Sequence, residues 1–375
     1  MCLDPVSSQF GLDRFENLAE TKLLSYNLSK SGIVILGKKK ARDKLIKEFK
    51  ENPSKLNEET LKILNQESYL GDQLGTNTSE SISLTINKRI GLTKKSIFEI
   101  KNIMEDCRSK VSGGIRSGLI LWESCVIPFI LNNCSTWINM KKKNLQRLDK
   151  LQNLFLFTLL NVQHCPIPLM YLDLGILSIS FRILKEKLIL FHHISCLPEE
   201  AISHKIMKIQ KVLNFPGLFR DIEPFLIENE ILDVCKFSKE EWKRLVQRKI
   251  KCADMASLIE QSKRYKMINS TSLSLEEFEL KEYFINLDLA RARLKFRERA
   301  NCMNTCKRNY SSDYNHIRTM FNCESCKSNK VDVISHWREC SSYEQFRLNR
   351  NLGSDFGLMS YYQDIINFRK DEAEE

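Results

Sequence analysis

The sequence predicts a mainly α chain with a small α/β portion at its start, and three observations carry that expectation. Apolar residues recur at three- and four-residue spacing from about residue 79 to residue 196, the period of helices that bury one face. A clear β-branched run bounded by glycines occupies residues 31–37, Ser-Gly-Ile-Val-Ile-Leu-Gly, and reads as a short buried strand. A further stretch, residues 239–300, is highly charged and helical in pattern.

Residues 38–50 form a charged helical segment that ends before Pro53, and residues 67–74, Glu-Ser-Tyr-Leu-Gly-Asp-Gln-Leu, read as a short strand or turn. These close a first segment, 1–77. In the second segment, 78–197, Ile82, Ile86 and Ile90 repeat at one-turn spacing behind a Thr78/Ser79 cap, and Ile97, Ile100 and Met104 continue after Gly91. Residues 119–131 carry Trp122 and should kink at Pro128. Leu148, Leu151, Phe155 and Leu159 line one face of residues 143–162; Ile179, Ile183, Leu190, Phe191 and Ile194 do so in residues 178–196. The expectation is a bundle of about five helices. Residues 197–235 contain Pro198, Pro216 and Pro224 and read as a looser connector, within a third segment spanning 198–300. A cysteine-rich hydrophilic segment, 301–350, and a tail, 351–375, with an acidic frayed end complete the chain.

At 375 residues the chain is long enough for two or three domains with real cores. Lys and Arg number 58 and Asp and Glu 47, a net charge of +11 that favours an anionic partner, nucleic acid first and an acidic membrane surface second. Met-Cys-Leu-Asp-Pro opens the chain without the basic and apolar regions of a secretory leader, so the 13 cysteines are expected as thiols or metal ligands rather than bridges. The longest apolar run noted, residues 154–160, is far short of the roughly 20 residues a bilayer needs. An intracellular protein, nuclear or cytoplasmic, with no membrane partner is therefore expected.

The sharpest local pattern is Cys323-x2-Cys326-x9-His336-x3-Cys340. Three thiolates and an imidazole are the ligand set that closes a tetrahedron around zinc, and a segment this short gains its folding energy from the metal. Cys302 and Cys306 lack a second half and read as free thiols. Just ahead, residues 291–310 hold seven basic side chains against one acidic, among them Arg291, Arg293, Lys295 and Arg297. With Leu289, Ala292 and Phe296 on one helix face, these cations are expected to meet phosphates. Lys38-Lys39-Lys40-Ala41-Arg42 and Lys141-Lys142-Lys143 are further basic clusters. His192-His193 and Cys125, Cys134, Cys165 and Cys196 read as packing residues of apolar helices. No Gly-x-Ser-x-Gly elbow, glycine-rich phosphate loop or His-Glu-x-x-His is present.

In this order, these features resemble the reverse transcriptases of non-long-terminal-repeat retrotransposons. Leu28-Ser-Lys-Ser-Gly-Ile-Val-Ile-Leu-Gly37 is similar to the palm segment after the catalytic hairpin. Tyr69-Leu70-Gly71-Asp-Gln-Leu74 resembles the primer grip that holds a growing 3′ end. Residues 82–137, with Lys88-Arg89-Ile90-Gly91, resemble the thumb, and the Cys-Cys-His-Cys cluster resembles the C-terminal zinc knuckle. The resemblance implies a partial palm over 1–77, a thumb-like bundle over 78–197 and a knuckle-like segment over 301–350. It also implies contact with RNA or DNA through Tyr69, Leu70, Gly71, Lys88, Arg89 and Lys141 to Lys143.

Such polymerases hold catalytic Mg²⁺ on an aromatic-x-Asp-Asp hairpin, and no Asp-Asp dipeptide occurs anywhere in this sequence. The expectation is a truncated RNA-directed DNA polymerase fragment that binds primer and template without catalysis, Mg²⁺ belonging only to a full-length catalytic form. Its strand near Ile33 is expected to lack sheet partners. The alternative is a zinc-dependent nucleic-acid-binding protein of other origin, or a structural helical protein whose cysteines are incidental. No small-molecule substrate is expected.

Overall fold

The computed structural model describes residues 5–21, 31–35, 37, 39–56, 58–69, 71–106, 114–162, 165–231, 233–264, 278–300, 325–326 and 334–374. It is mainly α. Helix α1 (Pro5–Thr21), read only as mixed α/β from sequence, precedes β1 (Gly32–Val34) and α2 (Lys39–Glu51). Short strands follow: β2 (Lys55–Leu56), β3 (Glu59–Thr60), β4 (Lys62–Leu64), β5 (Glu67–Tyr69) and β6 (Asp72–Leu74). They pair two by two, β1 with β4 in parallel, β2 with β3 and β5 with β6 antiparallel. The strand at Ile33 therefore does have a partner, Ile63 of β4, contrary to expectation. The chain between the two strands, residues 35–61, hid that pairing from a local reading.

The long helices are α3 (Thr78–Asp106), α4 (Gly114–Leu121), α5 (Ile127–Leu131), α6 (Lys142–Leu160), α7 (Ile167–Leu174) and α8 (Ile179–Ser195). The two segments read on either side of Gly91 form a single helix, because one glycine weakens a helix without ending it. Its cap is Asn77 rather than Thr78 or Ser79: the Asn77 side chain accepts the Glu80 N–H at 3.0 Å, and the Glu80 carboxylate reaches back to the Thr76 N–H at 3.0 Å. Pro128 acts one turn upstream. Lacking an N–H, it leaves the preceding turn to widen into a π-helix over Trp122–Val126, where Ile127 N–H donates to the Trp122 carbonyl.

Residues expected as a loose connector form α9 (Ile202–Val212) and α10 (Leu218–Glu228), with Pro224 inside the latter. Then come α11 (Lys239–Ser262), α12 (Tyr283–Asn286), α13 (Leu289–Arg299), α14 (Ile334–Glu339), α15 (Glu344–Leu348) and α16 (Asp355–Glu374). Helix α16 occupies the expected tail, and it buries Met359, Tyr361, Tyr362 and Ile365.

The chain forms two compact units. One comprises Met1–Thr93, Phe129–Leu148 and Glu186–Lys239; the other comprises Lys94–Pro128, Asp149–Lys185 and Glu240–Glu375. In the first, hairpin β5–β6 lies on α3, Gln73 N–H donating to Thr85 Oγ1 at 2.7 Å, and Asn144 of α6 donates to Ser83 at 2.9 Å. In the second, Trp122 stacks on Phe155 with centroids 4.1 Å apart and planes within 6°. A Cβ on Gly118 would lie 2.5 Å from Met104 Sδ and 2.6 Å from Leu159 Cδ1, so any larger residue there would make both side chains shift.

The run Gly114–Thr136 is long and apolar enough to cross a membrane, and α7 with α8, bent by 55°, meets the same test together. Interruption by Arg116, Ser117 and Glu123 kept that run from standing out in the sequence. Within it Ile115 and Trp122 are fully buried and Glu123 pairs with Arg182 at 2.6 Å, while 39% of its most apolar window is buried.

The second unit also buries two carboxyls, Asp149 and Asp254. Burial lifts both to about 6, and for Asp149 the neighbouring Asp254 adds to the effect. Asp254 accepts the Ser178 N–H at 2.7 Å and hydroxyl at 3.0 Å, whereas Asp149 Oδ1 has no hydrogen-bond partner among the described residues. A folded-state value above the unfolded one means that ionisation opposes folding above pH 6 and that this penalty fades as pH falls toward 4. Asp149→Asn should therefore raise the thermal midpoint at pH 7.5 by about 2–5 °C, by about half as much at pH 5, and make little difference at pH 4. Equal midpoints at pH 7.5 would contradict this assignment.

Candidate metal centre and basic surfaces

The C-terminal cluster is built on a helix end. His336 and Cys340 stand four residues apart, so one turn brings them to the same face, and the Cys340 N–H closes that turn on the His336 carbonyl at 2.7 Å. Cys326 arrives from a turn, and one ligand atom from each of the three residues lies within 4.8 Å of the others. The Cys326 Sγ to His336 Nε2 distance is 3.4 Å. Sulfur and nitrogen ligands on one tetrahedral zinc stand about 3.5 Å apart, so this edge already has the required length. His336 and Cys340 are buried, and His336 Nδ1 has no hydrogen-bond partner among the described residues. These three residues can hold a metal ion. Cys323 lies outside the described residues, as do Cys302 and Cys306.

A rigid surround fixes the cluster. Ser325, beside Cys326, hydrogen-bonds Tyr343 Oη at 2.8 Å, and Ser342 donates to the Ser325 carbonyl at 2.8 Å. Arg347 donates to the carbonyls of Arg338 and Cys340 at 2.9 and 2.8 Å. Trp337, between the two ligands of the helix, is buried edge-on against Tyr343 and Tyr362. Arg338 then ties the cluster to α13 through Glu298 at 2.7 Å and to α16 through Tyr362 Oη at 2.8 Å.

The basic residues divide into two kinds. Those of α13 are committed to the protein itself. Arg291 pairs with Asp288 and donates to Ser360 at 3.1 Å; Lys295 pairs with Glu298 and Asp355 at 3.0 and 3.1 Å. Arg293 and Arg297 donate to the carbonyls of Leu159 and Asn161 at 2.9 and 2.8 Å, closing the C-terminus of α6. Arg299, which sequence reasoning passed over, pairs with the fully buried Asp173 at 2.9 Å beside Tyr283.

Arg89 is of the same kind. It is 3% exposed and donates to the carbonyls of Ile130 and Asn132 at 3.0 and 2.6 Å and to Asp72 at 2.6 Å. It also sits 5.4 Å from the Trp137 ring. Lys88, Lys141, Lys142 and Lys143 are instead exposed. Tyr69 and Asp72 pair across the hairpin turn, and Gly71 between them takes φ +87°, a conformation that favours glycine. Leu70 and the Tyr69 side chain lie outside the described residues.

Comparison with protein-family models, curated proteins and solved structures finds no match to this chain.

The contrast between the two kinds of cation is measurable. Arg89→Ala leaves the Ile130 and Asn132 carbonyls without this donor and removes the ion pair of the half-buried Asp72, and it should lower unfolding free energy by about 2–4 kcal/mol in urea titration. Lys142→Ala should change it by less than about 0.5 kcal/mol. Equal effects of the two substitutions would refute the assignment of Arg89 as an internal cap.

Proposed function

We propose that this chain is a nucleic-acid-binding module whose C-terminal segment is closed by a structural zinc ion, and that it performs no phosphoryl transfer. The observation that carries the reading is the convergence of Cys326, His336 and Cys340 within 4.8 Å. Cys323, three residues before Cys326, supplies the fourth ligand, and the resulting Cys3His set suits zinc in a closed, non-catalytic site. The helical turn, the buried tryptophan and the arginine-held carbonyls fix ligand directions, so the metal locks the segment rather than exposing a reactive position.

The charge supports an anionic partner. Because the arginines of α13 and Arg89 serve internal oxygens, the phosphate contacts fall to Lys88 and Lys141 to Lys143, which project into solvent. Lysines at exposed positions read charge and not sequence, so binding is salt-sensitive and tolerant of sequence. Single-stranded RNA or DNA is the favoured partner.

The reading extends to origin: the chain corresponds to the primer-holding part of a non-long-terminal-repeat reverse transcriptase. In its favour, Tyr69 and Gly71 belong to the hairpin β5–β6, which precedes the long helix α3 in the chain, the order that resemblance implies. With no Asp-Asp dipeptide in the sequence, the two-metal chemistry has no ligands of the family's usual kind.

Purified protein should contain one zinc per chain by elemental analysis, and Cys326→Ser should lose it; equal metal content in both would defeat the proposal. Binding to a single-stranded oligonucleotide should weaken with salt at a log–log slope of about −3, falling toward −1 when Lys141, Lys142 and Lys143 are all replaced by alanine. A flat slope, or one unchanged by the triple substitution, would remove these lysines from the interface. Primer extension on an RNA template with Mg²⁺ or Mn²⁺ should give no product; template-dependent incorporation would overturn the non-catalytic assignment.

A further inference from the structure

Two cysteines far apart in the sequence meet at the C-terminal end of α8. Cys196 directly follows that helix, and Cys235 lies in the short turn Val234–Lys236 beyond α10. Both are exposed, although Cys196 was expected among the packing residues of an apolar helix. The Cys235 thiol donates to the Ser195 carbonyl at 3.4 Å, and the Cys196 and Cys235 side chains hydrogen-bond each other. The backbone is held on both sides of this contact. Cys196 N–H donates to the His192 carbonyl at 3.0 Å, Cys235 N–H donates to Asp233 Oδ1 at 3.0 Å, and Val234 between them is buried. The meeting of the two sulfurs is thus set by the fold.

The surroundings distinguish the two sulfurs. The Nε2 of the buried His192 lies 2.9 Å from the Phe237 carbonyl, an acceptor, so this nitrogen carries the hydrogen. The same N–H edge faces Cys196 Sγ at 3.7 Å. Burial, then the neighbouring Cys196 and the Asp233 charge, push the Cys235 thiol above its ordinary range. Cys235 therefore keeps its proton on the Ser195 carbonyl, and attack on an oxidant falls to Cys196. Other described cysteines are placed differently. Cys134 is buried with its thiol pushed up to about 12, and Cys326 and Cys340 belong to the candidate metal centre.

We infer that Cys196 and Cys235 form a redox-active dithiol, which a hydroperoxide converts to a disulfide that staples the two ends of segment 197–234. The Cys196 thiolate attacks the O–O bond of the peroxide, leaving a sulfenic acid on Cys196; the departing hydroxide takes up the Cys196 proton as water. The Cys235 sulfur then attacks the Cys196 sulfur. The S–S bond forms as the S–O bond breaks, and the released hydroxide carries off the Cys235 proton as a second water. The two sulfurs give up two electrons and the peroxide accepts them. The stapled segment contains α9 and α10, which wall a cavity of 440 Å³ together with Ser195 and Cys235, so the cross-link restrains both helices from opening. This goes beyond the nucleic-acid reading and does not rest on it, since neither the metal ligands nor the exposed lysines take part.

The test treats the reduced full chain with a few equivalents of hydrogen peroxide, blocks the remaining thiols with iodoacetamide and maps the digest by mass spectrometry. A peptide joining Cys196 to Cys235, and released by dithiothreitol, should form at least about tenfold faster than the exposed Cys252 is oxidised, because its second thiol is already in place. Hydrogen exchange over residues 197–234 should slow by at least about tenfold on oxidation. Cys235→Ser, at an exposed position, should keep the parent's circular dichroism and abolish both the link and the slowing. Cys252→Ser should behave as the parent in both. Recovery of Cys196 and Cys235 as two alkylated thiols, or a bridge from either to a different cysteine, would overturn the inference. So would a link that forms only in denaturant, or exchange over 197–234 that oxidation leaves unchanged.

Discussion

Helices in this chain end in the interior, and the carbonyls left without partners there must be closed by donors from elsewhere. Arginine does this repeatedly. Arg89 takes the carbonyls at the end of α5, Arg293 and Arg297 those that end α6, and Arg347 those that end α14. A guanidinium suits the task because it offers several donors in a plane and places positive charge at the negative end of the helix dipole. Removing such a residue uncovers buried oxygens that nothing nearby can satisfy. This requirement, more than any single apolar contact, fixes where the helices of each unit stop.

Within the second unit, the same requirement links the candidate metal centre to α13. Glu298 and Arg299 are neighbours on α13, and they serve two different anchor points. Arg299 neutralises Asp173, which is 0% exposed and also receives the Tyr283 hydroxyl. Glu298 accepts from Arg338 and Tyr362, the groups that brace the turn carrying His336 and Cys340. Buried charges paired in this way specify an arrangement even where they add little net stability, because each partner alone would be costly to bury. The three residues that can hold a metal ion therefore stand on a platform ordered by protein contacts.

Much of this was legible in the sequence where the signal is local. The three-four periodicity of Leu148, Leu151, Phe155 and Leu159 placed α6, and the His336-x3-Cys340 interval placed two ligands on one helical face. Pro128 announced a disturbance in its helix, though as a kink rather than the π-turn observed. Arg89 was opaque, since beside Lys88 it looks like any surface cation, and its partners lie 17 residues before it and about 40 after. The internal partners of the α13 arginines were hidden for the same reason. Composition reports how much charge a segment carries, and long-range packing decides whether that charge meets water or a carbonyl. Helices α9 and α10 were missed because Pro198, Pro216 and Pro224 were read as marks of a loose connector.

The account rests most heavily on the identity of the atoms around the metal. X-ray absorption at the zinc edge of the purified full chain reads them directly. The account predicts a first shell dominated by sulfur at about 2.3 Å with one nitrogen at about 2.0–2.1 Å. A shell of oxygen and nitrogen with no sulfur contribution would show that the ion sits elsewhere, and would contradict the closure of the C-terminal segment by Cys326, His336 and Cys340.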